Sequence, residues 1–181
     1  MAIHGFGNVG SHAARLLAEQ GARIVAVSDA DGAIASEDGL NISRLFEWVD
    51  ENGTVAGFNG SQAITHEQVL AYEADVLIPA ALEDAITEEN ARAVQAKLII
   101  EAANGPVTPG AHDSLTARGV TIVPDILANA GGVTVSYFEW TQNIQQFRWD
   151  LERVNAELEK VMRRAYADVA GVAKRRDIDM R

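Results

Sequence analysis

The sequence predicts an α/β domain: a doubly wound, mostly parallel sheet with helices on both faces and a long C-terminal amphipathic helix. Three observations carry that reading. Short Val- and Ile-rich runs alternate with longer stretches of helical period over most of the chain, the pattern of repeated βαβ units. The short runs are apolar on both faces, as strands covered on two sides by helices are. The first such run leads into a glycine-rich turn, Gly5-Phe6-Gly7-Asn8-Val9-Gly10, followed by a helical stripe.

Taken in order, the chain offers a strand at 2–4 and a helix at 9–20 marked by Val9, Ala13, Leu16 and Leu17. A strand at 23–28, helices at 42–52 and 65–71, and a strand at 75–78 follow. Then come a helix at 87–95, a strand at 97–100, a helix at 109–118 and a strand at 120–123. Another helix begins near Gly131. From Asp150, read as an N-cap, Leu151, Val154, Leu158, Val161, Ala165, Val169 and Val172 recur at helical spacing and mark one long helix. That helix is expected to pack across the sheet, with a partner-binding helix as the second reading. No repeat, low-complexity tract or linker interrupts the chain.

Composition narrows the function. The 181 residues are 48% hydrophobic and 23% charged, which suits one domain burying about 70% of its unfolded surface. Net charge is −11, from 15 Lys+Arg against 26 Asp+Glu, and this repels polyanions, so no nucleic-acid partner is expected. With no cysteine, disulfides and thiolate metal sites are excluded, in keeping with a reducing compartment. No apolar run reaches the roughly 18 residues of a membrane span, and Met1-Ala2-Ile3-His4 is not the start of a signal peptide. The expectation is a soluble, cytoplasmic protein with no membrane partner. Only four residues precede the first glycine, against about 5–6 in an ordinary strand, and 177–181 end without a polar tail. Both features lead us to expect a segment of a longer protein, with an apolar packing face left bare at 181 that would favour self-association.

The glycine turn is the first chemical signal. The spacing alone is weak in a chain with 15 glycines, but strand before, helix after and an acidic residue 19 positions beyond Gly10 give it context. In a Rossmann unit Gly5 makes the tight turn, Gly7 admits a pyrophosphate to the backbone and Gly10 lets helix pack on strand. The helix N-terminus supplies free N–H groups and a positive partial charge. Asp29 stands where a carboxylate accepts hydrogen bonds from an adenosine ribose and repels a 2′-phosphate. No Arg or Lys follows through 30–38. NAD is therefore expected ahead of NADP. The competing reading of Asp29 is a cap on the Asp31-Gly32 turn.

Three further segments carry a resemblance: Asp75-Val76-Leu77-Ile78-Pro79-Ala80-Ala81-Leu82, Glu101-Ala102-Ala103-Asn104-Gly105-Pro106-Val107-Thr108-Pro109, and 124–140, which contains Asn129-Ala130-Gly131-Gly132-Val133-Thr134-Val135-Ser136-Tyr137-Phe138-Glu139-Trp140. With Gly5–Gly10 they closely resemble the cofactor domain of hexameric glutamate dehydrogenases, over essentially the whole chain. The resemblance implies oxidative deamination of L-glutamate to 2-oxoglutarate and ammonia, with hydride passing to a nicotinamide. It implies that 1–181 is the dinucleotide-binding domain of a homohexameric enzyme. It places Asn104 and Asn129 along the nicotinamide and its ribose, and Ala80 and Ala81 on the backbone flanking the cofactor. Val133 and Ser136 would line the glutamate side chain, Ser136 bonding its distal carboxylate.

The residues by themselves support part of this. Asn104 and Asn129 follow short strands, where doubly wound sheets bind ligands, and an amide suits a carboxamide or a ribose hydroxyl. Each also reads as a turn or cap residue. The scattered His4, His12, His66 and His112 share no period and argue against a metal site. Trp48, Trp140 and Trp149 read as core or interface. In the family the catalytic lysines and aspartate belong to the other domain, to which no part of this chain corresponds. Hence no catalytic residue is assigned, and the isolated chain is expected to bind NAD without oxidising glutamate. Two other readings remain: the cofactor domain of another amino-acid dehydrogenase, and a fragment kept for its fold rather than its chemistry.

Overall fold

The computed structural model describes all 181 residues, Met1–Arg181. Seven short strands, β1 (Ala2–His4), β2 (Ala26–Ser28), β3 (Ala33–Ala35), β4 (Gln62–Ile64), β5 (Val76–Pro79), β6 (Leu98–Ile100) and β7 (Thr121–Val123), form one sheet in the order β4-β3-β2-β1-β5-β6-β7. The five strands from β2 to β7 in that order run parallel. The helices are α1 (Asn8–Glu19), α2 (Ile42–Asn52), α3 (His66–Leu70), α4 (Pro109–Ala117), α5 (Asp125–Ala128), α6 (Ala130–Gln145) and α7 (Leu151–Arg176). No helix is long and apolar enough to cross a membrane.

The pleat sorts the strand residues between two cores. Ile3, Val27, Ile34, Val76 and Ile78 pack with Ala14 of α1 and with Ile42 and Leu45 of α2. Ala2, Ala26, Leu77, Ile99 and Ile122 face the opposite way, toward Val69 and Leu70 of α3 and Ala111 and Leu115 of α4. A sheet covered on both faces needs apolar residues at successive positions, which is why its strands read as unbroken apolar runs.

The structure departs from the sequence reading, or adds to it, at four points. First, β3 and β4 extend the sheet antiparallel beyond β2. Three residues each are too short for a period to show, and Gln62 and Ala63 on the outer strand are exposed. Second, the helix expected at 87–95 is a single 3₁₀ turn, Ala91–Ala93. Asn90 Oδ1 accepts the Thr87 N–H at 2.9 Å and Asn90 Nδ2 donates to the Ala85 carbonyl at 2.9 Å, so its side chain competes with a regular helix for these backbone groups. Third, α1 buries Gly10, Ser11 and Ala14, while Val9 and Leu16 are more than half exposed. Fourth, α7 packs on α6 and α5 rather than across the sheet. Asp150 does cap it, accepting the Arg153 N–H at 2.8 Å, but Leu151, Val161 and Val172 are exposed and only Ala173 is buried.

Candidate functional site

The site forms along the carboxyl-terminal ends of the parallel strands, where the chain leaves the sheet and its backbone groups are free of the ladder. Gly5, at φ +111°, is the residue on which it turns. A Cβ there would stand 2.9 Å from the backbone of Ala80 and Ala81, so the glycine turn lies directly against the segment leaving β5. The Ala80 N–H donates to the His4 carbonyl at 2.7 Å, and the Gly5 N–H to the Ser28 hydroxyl oxygen at 3.2 Å. Gly10 is required for a different reason: a Cβ on it would overlap the Gly5 carbonyl oxygen and touch Ile3. Gly7 has nothing within 4 Å of its virtual Cβ. It is also the N-cap of α1, with no side chain bonding the helix's first N–H groups. Open space in front of unpaired N–H groups and the positive end of a helix dipole suits a phosphate.

Two clefts meet at this turn. One, of about 680 Å³, is lined by Gly5, Phe6, Gly7, Ser28, Asp29 and Ala81 among others. The second, of about 590 Å³, is lined by Val9, Ala80, Ala81, Asn104 and Asn129 among others. Because both include Ala80, Ala81 and Leu82, they make one groove passing around the glycines. Thus the structure brings the glycine turn, Asp29, Ala80, Ala81, Asn104 and Asn129 together. Within that turn Asn8 opens α1, where its carbonyl oxygen lies 2.9 Å from His12 Nδ1. Val133, 71% exposed, and Ser136 stand apart on the open face of α6 and line neither cleft.

Asp29 is a turn cap, one of the two readings the sequence offered for it. It lines the first cleft and it caps the turn, Oδ1 accepting the N–H groups of Asp31 at 2.9 Å and Gly32 at 3.0 Å. The same oxygen accepts from the Thr54 hydroxyl at 3.1 Å, while Oδ2 accepts the Val55 N–H at 2.6 Å. The carboxylate therefore holds the loop after α2 against the end of β2, and Oδ2 keeps the spare acceptor capacity. At the other end of the groove Asn129 Nδ2 donates to Asn104 Oδ1 at 2.7 Å. That bond leaves the Asn104 NH₂ group and the Asn129 carbonyl oxygen to meet a ligand.

Several residues that matter here were given no role by the sequence. His66 Nε2 lies 2.7 Å from the Asp29 carbonyl oxygen and so donates to it, and its ring meets that of His4 edge-on at 6.2 Å between centroids. Both histidines line the first cleft. Burial holds the His4 imidazole below its usual pKa, and His66 adds to the effect against the opposing Glu67. Near the asparagines, Glu101 is fully buried and accepts the Asp125 N–H at 2.9 Å. Burial raises its pKa, opposed by the Asp125 hydrogen bond and by Arg181. No cluster of His, Asp or Glu has metal-ligand geometry. These partners come from strands and loops far apart in sequence, so spacing could not reveal them.

The family model described as Glutamate/Leucine/Phenylalanine/Valine dehydrogenase matches residues 1–181. The chain is 48% identical to a glutamate dehydrogenase of Thermotoga maritima over 182 aligned positions, 100% of this chain and 44% of that protein. It is 53% identical to NADP-specific glutamate dehydrogenase A1 of Halobacterium salinarum, over 92% of this chain and 40% of the relative. Among solved structures, the hetero-hexameric glutamate dehydrogenase of Thermus thermophilus in its Leu-bound form superposes with a TM-score of 0.91 at 32% identity, over 99% of this chain and 43% of that one. The chain thus spans less than half the length of the relatives it matches. A profile matched from first residue to last, on a Rossmann-type sheet with the glycine turn at its centre, makes this chain a member of the glutamate/leucine/phenylalanine/valine dehydrogenase family.

Proposed function

We propose that residues 1–181 are the dinucleotide-binding domain of a glutamate dehydrogenase, an oxidoreductase that deaminates L-glutamate to 2-oxoglutarate and ammonia. The observation that carries this is the continuous groove from Asp29, around Gly5–Gly10, to Asn104 and Asn129. Gly7 and the first N–H groups of α1 would hold the pyrophosphate. The spare acceptor capacity of Asp29 would meet the adenosine ribose. Asn104 and Asn129 would hold the nicotinamide side, while Ala80 and Ala81 supply a flat backbone wall. When bound, the nicotinamide supplies the hydride acceptor; this chain's residues orient it. Ser136 offers a hydroxyl to the distal carboxylate of glutamate and Val133 an apolar contact. That pairing, with relatives of 48% and 53% identity both named glutamate dehydrogenases, supports glutamate over branched or aromatic substrates. The complete protein would carry its substrate-activating residues outside 1–181 and assemble as a homohexamer in the cytoplasm.

NAD is the cofactor we favour. Asp29 presents a carboxylate at the ribose end, and 30–38 hold no cation for a 2′-phosphate. The NADP-specific relative from Halobacterium salinarum makes NADP the reading to test against. Titrating the chain with NADH and NADPH, by nicotinamide fluorescence and energy transfer from tryptophan, tests both points. Tighter NADH binding that narrows toward parity in Asp29→Ser is the expected result. Equal or tighter NADPH binding overturns the cofactor assignment, and no binding of either overturns the domain assignment.

A further inference from the structure

Residues 177–181 do not trail away from α7. Asp177, at φ +55°, turns the chain back, and the Ile178 N–H donates to the Ala173 carbonyl at 3.1 Å. Asp179 Oδ2 then meets His112 Nε2 on α4 at 3.0 Å, and Asp179 Oδ1 accepts the Arg181 N–H at 2.9 Å. This brings the Arg181 guanidinium to the Glu101 carboxylate, Nη1 to Oε1, at 3.1 Å; the same nitrogen donates to the Val107 carbonyl at 3.2 Å. The Glu101 side chain is wholly buried and that of Arg181 is one-third exposed. Burying an ionised carboxylate is costly unless it is paired and hydrogen-bonded, and Arg181 is the one cation in contact with it.

What Glu101 does with its other oxygen links this pair to the groove. Oε2 accepts the Asp125 N–H at the start of α5. Asp125 Oδ2 in turn accepts the Gly105 N–H at 2.8 Å, and the Asp125 carbonyl accepts the Asn129 N–H at 2.9 Å. Gly105 follows Asn104, which accepts from Asn129. One hydrogen-bonded chain therefore runs from Arg181 through Glu101 and Asp125 to both asparagines of the groove.

We infer that Arg181 and Glu101 are a positioning pair: the returning segment 177–181 neutralises the buried carboxylate, and the carboxylate sets the two loops that carry Asn104 and Asn129. Neither residue touches a ligand. The inference rests on the dinucleotide reading of the groove for its consequence in binding, but the geometry it asserts is independent of that reading. Without Arg181, the unpaired Glu101 carboxylate is drawn toward water and loosens its hold on the Asp125 N–H, whereas a neutral side chain there is not. The Asp29 end of the groove shares no bond with this chain.

The test compares the 181-residue chain with Arg181→Met and with the double variant Arg181→Met/Glu101→Gln, whose neutral amide keeps an acceptor for Asp125. NADH affinity should fall about tenfold in Arg181→Met, as expected for a lost coupling through a bonded network. Affinity for ADP, which occupies only the adenosine end, should stay within about twofold, and the double variant should recover most of the loss. Amide hydrogen exchange at Asp125 and Gly105, measured without ligand, should quicken in Arg181→Met and slow again in the double variant. Unchanged NADH affinity, equal losses for NADH and ADP, or a double variant no better than the single each overturns the pairing. If the unaltered chain binds neither nucleotide, the domain assignment falls and exchange alone decides. Faster Asp125 exchange in Arg181→Met then supports the pair, and unchanged exchange overturns it.

Discussion

The sequence assigns three glycines at fixed offsets different tasks, and the structure sets a different physical constraint at each. Gly10 has no room for a Cβ, because the Gly5 carbonyl oxygen occupies it, whereas Gly7 faces open space in an ordinary conformation, φ −76°. Gly10→Ala should therefore lower unfolding free energy by about 3 kcal/mol or more in a denaturant titration, through overpacking at the strand–helix contact. Gly7→Ala should leave stability within about 0.5 kcal/mol, since nothing in the fold is touched. It should still weaken NADH about tenfold, about 1.4 kcal/mol. Equal stability losses in the two variants would show that Gly7 is held by the fold and not kept open for a ligand. The motif was legible because turn geometry is local. Asp29 was legible only in part: the Asp31-Gly32 turn lies next to it, but Thr54 and Val55 reach it from another loop.

At the scale of elements, β1 shows how packing sets a titration. His4 pairs in register with Ser28 and Pro79, and its buried Nδ1 has no hydrogen-bond partner. Its pKa lies below the ordinary 6.5 because burial disfavours the imidazolium. The unfolded chain then takes up this proton at a higher pH than the native one does. The contribution is therefore fully present above about 6.5 and is lost as pH falls below it toward the native pKa. Urea unfolding at pH 7.5 and pH 5.5 should show a smaller loss of stability for His4→Gln than for the unaltered chain. Parallel losses would assign the acid sensitivity to another group. That β1 is a strand was readable from its apolar pair and the glycine after it. That 87–95 is not a helix was hidden, because Asn90 redirects backbone bonds that propensity assigns to a helix.

At the scale of the molecule, the groove is a single wall. Val133 and Ser136 face outward from α6, beside the exposed Tyr137, Trp140 and Ile144. A hydride transfer needs substrate and nicotinamide held in near-attack geometry with water excluded, and an exposed helix face supplies neither. The isolated chain should bind NADH yet form no NADH from NAD and glutamate in an absorbance assay at 340 nm. Steady glutamate-dependent NADH formation would show that 1–181 holds the whole catalytic apparatus.

By itself the sequence determined the alternation of strands and helices, the glycine turn and the family, because these rest on local periodicity and on residues contiguous in the chain. The tertiary structure decided the antiparallel pair β3 and β4, the packing of α7 on α6, the four donors on Asp29 and the bonded path from Arg181 to Asn104. Each depends on which residues meet across long separations, and the closing of such loops is set by the packing of the whole molecule rather than by any segment's own preference.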